Sequence, residues 1–176
     1  VLNLRIKMAP NVMVLYGLLT IGLWLEKADA VCPDGFIPHN GKCYDLLPVQ
    51  ASWAEALHYC EIFGATLAVI ENESEQNFIV GLLSRLHDSI PSQHVWLGGT
   101  DLLEEGKFIR PDSMVPLTYF KWAPTEPDNL NGQHCIGMFR DQHFLWDDMD
   151  CEAQDFPLCE KLDAIDGGQL NGQDRR

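Results

Sequence analysis

In TEPDNLNGQHC, from Thr125 to Cys135, two acids, Glu126 and Asp128, flank a proline, and a run rich in Asn and Gly leads to a cysteine. Ionised carboxylates are acceptor-only oxygen donors. Two of them held on either side of the most rigid residue type read as part of a hard-cation site. Pro, Asp, Asn and Gly are also ordinary turn formers, and taken alone the string reads first as a solvated loop. The surrounding sequence has to decide between the two.

Other chemistries lack their residues. The chain carries no G-x-S-x-G, P-loop or G-x-G-x-x-G, so hydrolase, nucleotidase and dehydrogenase readings have no foothold and a non-enzymatic protein is expected. His58, His87, His94, His134 and His143 are scattered without H-E-x-x-H or comparable ligand spacing, and read as exposed or structural. Trp53, Trp96, Trp122 and Trp146 read as core or loop anchors. Twelve basic against 26 acidic residues give a net charge of −14. That balance repels phosphate backbones and anionic lipids, which excludes nucleic acid as a partner and suits cations, neutral sugars or mineral surfaces.

The elements that would position the acids follow from pattern. Residues 1–30 read as a signal peptide: Val12 to Leu25 is one apolar run, and Ala28-Asp29-Ala30 has the small-x-small form of a cleavage site. The run is short for a membrane span, which needs about 20 residues. If translation starts at Met8, residues 1–7 are untranslated sequence read through. Residues 31–161 then form one domain, and the polar, Gly-rich stretch 162–176 reads as a disordered tail. All six cysteines lie after the cleavage site, which predicts a secreted, extracellular protein with three disulfides; spacing alone leaves fifteen connectivities open.

In CPDGFIPHNGKCYDL, turn residues between short apolar pieces predict a hairpin closed by Cys32 and Cys43. Ser52 and Glu55 form a capping box, Trp53, Leu57 and Cys60 recur at helical spacing, and Gly64 supplies a stop. TLAVI reads as a short buried strand. A second amphipathic helix follows in NESEQNFIVGLLSRL, with Asn72 and Glu75 as its box and Phe78, Ile79, Leu82, Leu83 and Leu86 on one side. Asn72-Glu73-Ser74 is also a glycosylation sequon. Beyond Leu86 short β-type runs (HVWLGG, KFI, LTYFKW, CIGMF, HFLWDD, FPLCEK) alternate with turns, an α+β layout of two helices and antiparallel sheets.

These pieces together resemble the C-type lectin-like domain family. The matching residues are CPDGF and CY, the W-A-E-A…C…GA-x-LA-x-I frame from Trp53 to Ile70, and WLGG at Trp96 to Gly99. EPD at Glu126 to Asp128, WDD at Trp146 to Asp148 and the terminal C…FPLCE complete the set, in the family's order. The resemblance implies the C-type lectin-like fold with a long calcium- and sugar-binding loop. It pairs Cys60 with Cys159, Cys135 with Cys151, and Cys32 with Cys43 as the mark of the long form. It implies a cis proline bond within the triplet, which throws both flanking side chains toward one point.

Carried over residue by residue, Glu126, Asp128, Gln133, Asp147 and Asp148 would ligate Ca2+. Glu126, Asp128, Gln133 and Asp147 would also bind sugar, two neighbouring hydroxyls completing the metal shell. Asp101 and Glu105 match positions of an auxiliary calcium site, while Asn129 and His134 stand where acids are usual. The triplet is a hybrid: mannose-type domains carry Glu-Pro-Asn and galactose-type Gln-Pro-Asp. Gln133 replaces a usual Glu, and Asp147 a usual Asn. A hydroxyl facing Glu126 and Asp128 finds no donor, so monosaccharide selectivity should be weak or broad.

The expected function is calcium-dependent binding of mannose- or galactose-type terminal sugars, on microbial surfaces in innate recognition, with an oligomer supplying avidity. The alternative is an acidic extracellular or shell-matrix protein that binds calcium mineral or protein without reading sugar.

Overall fold

A computed structural model describes residues 32–86 and 92–162. The leader 1–30 and its cleavage site, His87 and the stretch beyond Leu162 lie outside the described residues.

The two helices begin where their caps place them. Helix α1 (Trp53–Ile62) opens on Ser52, whose side chain accepts the Glu55 N–H while the Glu55 carboxylate accepts the Ser52 N–H at 2.9 Å. Gly64, at φ +63°, ends it in the left-handed region. Helix α2 (Glu73–Leu86) is capped by Asn72, whose Oδ1 accepts the Glu75 N–H at 3.0 Å. The expected return bond is absent: Glu75 turns instead to the Glu71 N–H at 2.8 Å and to Lys42 at 2.9 Å. The half-buried Lys42 takes that carboxylate instead.

Seven strands form one sheet: β1 (Ile37–His39), β2 (Lys42–Leu46), β3 (Thr66–Leu67), β4 (His94–Thr100), β5 (Cys135–Phe139), β6 (Leu145–Met149) and β7 (Phe156–Leu162). The order is β1-β2-β7-β4-β5-β6, with β3 also pairing β7. Every pairing is antiparallel except β4 with β7, which run parallel. KFI and LTYFKW form no strands. They contribute single bridges, Thr100 with Ile109, Ile109 with Pro116, and Trp122 with Trp146. Pro111 and Pro116, lacking N–H donors, interrupt any longer ladder. TLAVI is strand only at Thr66 and Leu67, though Ala68 still receives the Gly98 N–H at 2.8 Å. A Cβ on Gly98 would lie 2.5 Å from the Leu67 carbonyl oxygen, so this close approach needs glycine.

Strand β4 divides the core. Val95 and Leu97 face one cluster with Ile79, Leu82 and Leu83 of α2, while Trp96 faces a second with Trp53, Ala56 and Cys60 of α1. Successive strand residues point to opposite faces, which explains the unbroken apolar run VWL. The indole N–H groups of Trp53 and Trp96 reach the carbonyls of Leu97 and Ala51, both at 2.8 Å. The disulfides are Cys32–Cys43, Cys60–Cys159 and Cys135–Cys151. Closing such loops restricts the unfolded chain by roughly 3–5 kcal/mol each in the loop-entropy picture. Among the described residues no helix is long and apolar enough to cross a membrane.

Candidate metal centre

The acid-bearing loop is held at both ends by the sheet. Trp146 on β6 is buried and donates its indole N–H to Gln76 of α2 at 2.9 Å, and Gln76 donates in turn to the Phe144 carbonyl at 3.1 Å. The incoming chain pairs alongside: the Trp146 N–H reaches the Lys121 carbonyl at 2.8 Å, and the Ala123 N–H reaches the Trp146 carbonyl at 2.7 Å. Glu126 N–H then closes a turn on the Ala123 carbonyl at 3.1 Å. Trp146 is thus the anchor that sets Glu126 beside the two acids that follow it on β6.

Glu126, Asp147 and Asp148 each offer a carboxylate oxygen within 4.8 Å of the others. The Glu126–Pro127 peptide is cis. Asp148 is buried and preorganised, accepting the Asp128 N–H at 3.0 Å and the Asn129 N–H at 2.8 Å. Burial, then the charge of Asp147, a hydrogen bond with Asp148 and the charges of Asp128 and Asp148 push the Glu126 carboxyl up to about 7. Its Oε2 is buried with no hydrogen-bond partner.

Asp128 stands outside this group of three. It is exposed, and its Oδ1 accepts the Leu130 N–H at 2.9 Å within its own turn. Gln133 is half-buried at the far end of the loop, beside His134. Two histidines that the sequence reads as exposed or structural belong to the region. His94 Nε2 lies 3.3 Å from Asp147 Oδ2, outside hydrogen-bond geometry.

The auxiliary pair also converges, with the second histidine. Asp101 Oδ1 is 3.0 Å from His134 Nδ1, and Glu105 Oε2 is 3.6 Å from the same nitrogen. The Thr100–Cys135 register of β4 and β5 brings Asp101 and His134 together, a pairing that no local pattern displays.

The profile of the Lectin C-type domain matches residues 49–161. The chain belongs to the C-type lectin domain family. Perlucin of Haliotis laevigata is 36% identical over 132 residues, 74% of this chain and 83% of perlucin. The human C-type lectin domain family 17, member A, is 32% identical over 143 residues, 80% of this chain but 35% of that protein, so the chain spans about a third of it. The carbohydrate-recognition domain of mouse scavenger receptor C-type lectin superposes with a TM-score of 0.66 at 26% identity, covering 75% of this chain and 97% of that one. A calcium-independent type II antifreeze protein superposes at 0.65 and 28% identity, covering 76% and 96%. This C-type lectin domain therefore has the fold of a non-enzymatic, carbohydrate-binding lectin. Such domains commonly bind calcium, but the antifreeze neighbour shows that the fold does not require it.

Proposed function

We propose that this chain is an extracellular lectin whose sugar binding depends on Ca2+ held by Glu126, Asp147 and Asp148, with Asp128 and Gln133 completing the site. One observation carries the reading. Three carboxylates converge, one with a buried and unpartnered oxygen, beside His94, whose Nε2 lies 3.3 Å from Asp147, while five of the described basic residues are engaged elsewhere. Lys42, Lys107 and Lys121 pair with Glu75, Glu104 and Glu73, Lys161 holds the Phe63 carbonyl, and Arg110 holds Glu71 and Glu160. Oxygen donors of this kind suit a hard cation.

When bound, calcium supplies coordination positions for two neighbouring sugar hydroxyls. The protein's own share is hydrogen bonding. Glu126, Asp128 and Asp147 would accept hydrogen bonds from those hydroxyls, and the Gln133 amide would donate one. A hydroxyl at Glu126 and Asp128 lacks an incoming bond, a loss of roughly 0.5–1.5 kcal/mol, so mannose- and galactose-type sugars are bound with weak discrimination. Weak single sites favour an oligomer on a multivalent surface such as a microbial glycan coat in innate recognition. Three formed disulfides support an oxidising, extracellular setting, consistent with residues 1–30 as a removed leader. Asn72 is exposed and caps α2 through Oδ1, which leaves its amide nitrogen available for a glycan.

The test is retention on mannan or galactose resin in calcium and release by chelator. Glu126→Ala and Asp147→Ala are each expected to abolish retention in an oxidised, folded domain. Sugar retention that persists in chelator overturns the reading. Retention on calcium carbonate alone, without competition by sugars, replaces it with the acidic matrix role.

A further inference from the structure

The group formed by Asp101, Glu105 and His134 does not have the donors of a calcium site. Calcium is held by about six to eight oxygens, whereas this group offers an imidazole nitrogen and two carboxylates. One oxygen of Asp101, Oδ2, is already committed to the Gly106 N–H at 2.7 Å. That bond fixes the Asp101 side chain, 1% exposed, with its other oxygen facing His134 Nδ1. The separations are informative. Tetrahedral zinc with bonds of about 2.0–2.1 Å places neighbouring ligand atoms about 3.3–3.4 Å apart. The 3.0 Å contact between His134 Nδ1 and Asp101 Oδ1 is a hydrogen bond and 3.6 Å separates the same nitrogen from Glu105, so an ion that replaces the bridging proton needs shifts of only about 0.3 Å. Glu105 is 56% exposed and His134 30%, so an ion can enter from solvent and keep an open position for water.

We infer that Asp101, Glu105 and His134 form a three-ligand site for a borderline divalent ion of the zinc class, in place of the auxiliary calcium expected at these positions. Imidazole suits zinc and its neighbours, while purely oxygen sets suit calcium. The buried Asp101 carboxylate supplies charge, the half-exposed His134 supplies selectivity, and the mobile-length Glu105 side chain closes from outside. His134 immediately follows Gln133 and donates its backbone N–H to the Met149 carbonyl at 3.0 Å, so an ion here also pins the end of the 125–135 loop to β6. The inference is independent of sugar binding, because the metal alone is the probe.

The experiment titrates zinc into the full chain against a chromophoric chelator, with and without millimolar calcium. Wild type is expected to bind one equivalent that calcium does not displace. His134→Gln and Glu105→Gln should weaken that equivalent by more than about 100-fold, beyond the loss typical of an outer-shell contact. His58→Gln, which removes an exposed histidine 3.6 Å from Glu61, should leave it intact. Equal zinc affinity in wild type and His134→Gln, no bound zinc in wild type, or displacement of the ion by calcium each overturns the inference. Glu105 is largely exposed, so its variant tests the site without threatening the fold.

Discussion

Of the carboxylate groups in this domain, the one beneath α2 carries its own lysine and arginine, and the one in the long loop carries no lysine. Beneath α2, Glu71, Glu75 and Glu160 surround Lys42 at 3.0, 2.9 and 3.2 Å, and Arg110 reaches Glu71 and Glu160 at 3.1 and 3.3 Å. The Tyr44 hydroxyl also donates to Glu75. In the loop, Glu126, Asp147 and Asp148 converge with no lysine among them. Both groups hold an acid pushed up to about 7, Glu160 and Glu126, and burial is the first cause in each. At Glu160 the charge of Lys42 works against the rise, whereas at Glu126 every neighbouring acid adds to it. The first group is a closed structural unit; the second is left for something from solvent to complete.

The sharpest way to break the comparison is Lys42→Met. It leaves Glu75 with only the Tyr44 hydroxyl and the Glu71 N–H and Glu160 with only Arg110, both acids nearly fully buried, and removing one partner of a buried ion pair costs about 3–5 kcal/mol. Urea unfolding at pH 8 should show that loss. A change within experimental error would mean that protons, not Lys42, neutralise the group. Glu126→Gln is the opposite operation, because it relieves repulsion. The calcium-free variant should be at least as stable as wild type. It should also lose the stabilisation that saturating calcium gives wild type, about 2.7 kcal/mol at a hundred times Kd. A variant that calcium still stabilises fully would move the ion away from Glu126.

Titration separates the groups further. A carboxyl raised in the folded state contributes stability that is complete below its unfolded pKa and disappears as pH rises through the folded value. Glu126 and Glu160 are both raised to about 7, so the calcium-free domain should lose stability from near pH 5 to pH 8. Calcium should restore the part due to Glu126 and leave the part due to Glu160. The calcium-induced rise in Tm is therefore expected to be larger at pH 8 than at pH 5.5, and flat with pH in Glu126→Gln. An equal rise at both pH values in wild type would remove Glu126 from the ion's shell.

What could be read from sequence follows the same division between local and distant. Helix α1 was legible from Ser52 to Gly64, because its cap, apolar period and stop all lie within one short window. The strands HVWLGG, CIGMF and FPLCEK were legible from their apolar runs, and HFLWDD from Leu145 onward, since His143 and Phe144 sit at positive φ before the strand starts. Lys42 was not, since its acids come from α2 and from β7, the latter 118 residues away, and only the β2–β7 register joins them. The contact of His134 with Asp101 escaped for the same reason, although the residue's place at the auxiliary site did not. KFI and LTYFKW had strand composition but follow single bridges between prolines. Asp128 looked equivalent to Glu126 because they flank one proline. In the folded loop its backbone is tied to Asp148 and its side chain to Leu130, so the two acids meet different surroundings.

The smallest expected effect tests whether burial, rather than the number of ion pairs, makes the first group structural. Glu71 touches both Lys42 and Arg110, yet it is 53% exposed, against 5% for Glu75 and 6% for Glu160. Exposed pairs are worth at most about 1 kcal/mol, because water screens them and two long side chains lose freedom. Glu71→Gln should therefore cost no more than about 1 kcal/mol in urea unfolding, although it removes two ion pairs. Glu75→Gln should cost more, because it also disturbs the buried bonds to Lys42 and Tyr44. If the two variants prove equally destabilised, the group acts as one charge network. The contrast with the loop acids would then rest on cation number rather than on exclusion of water.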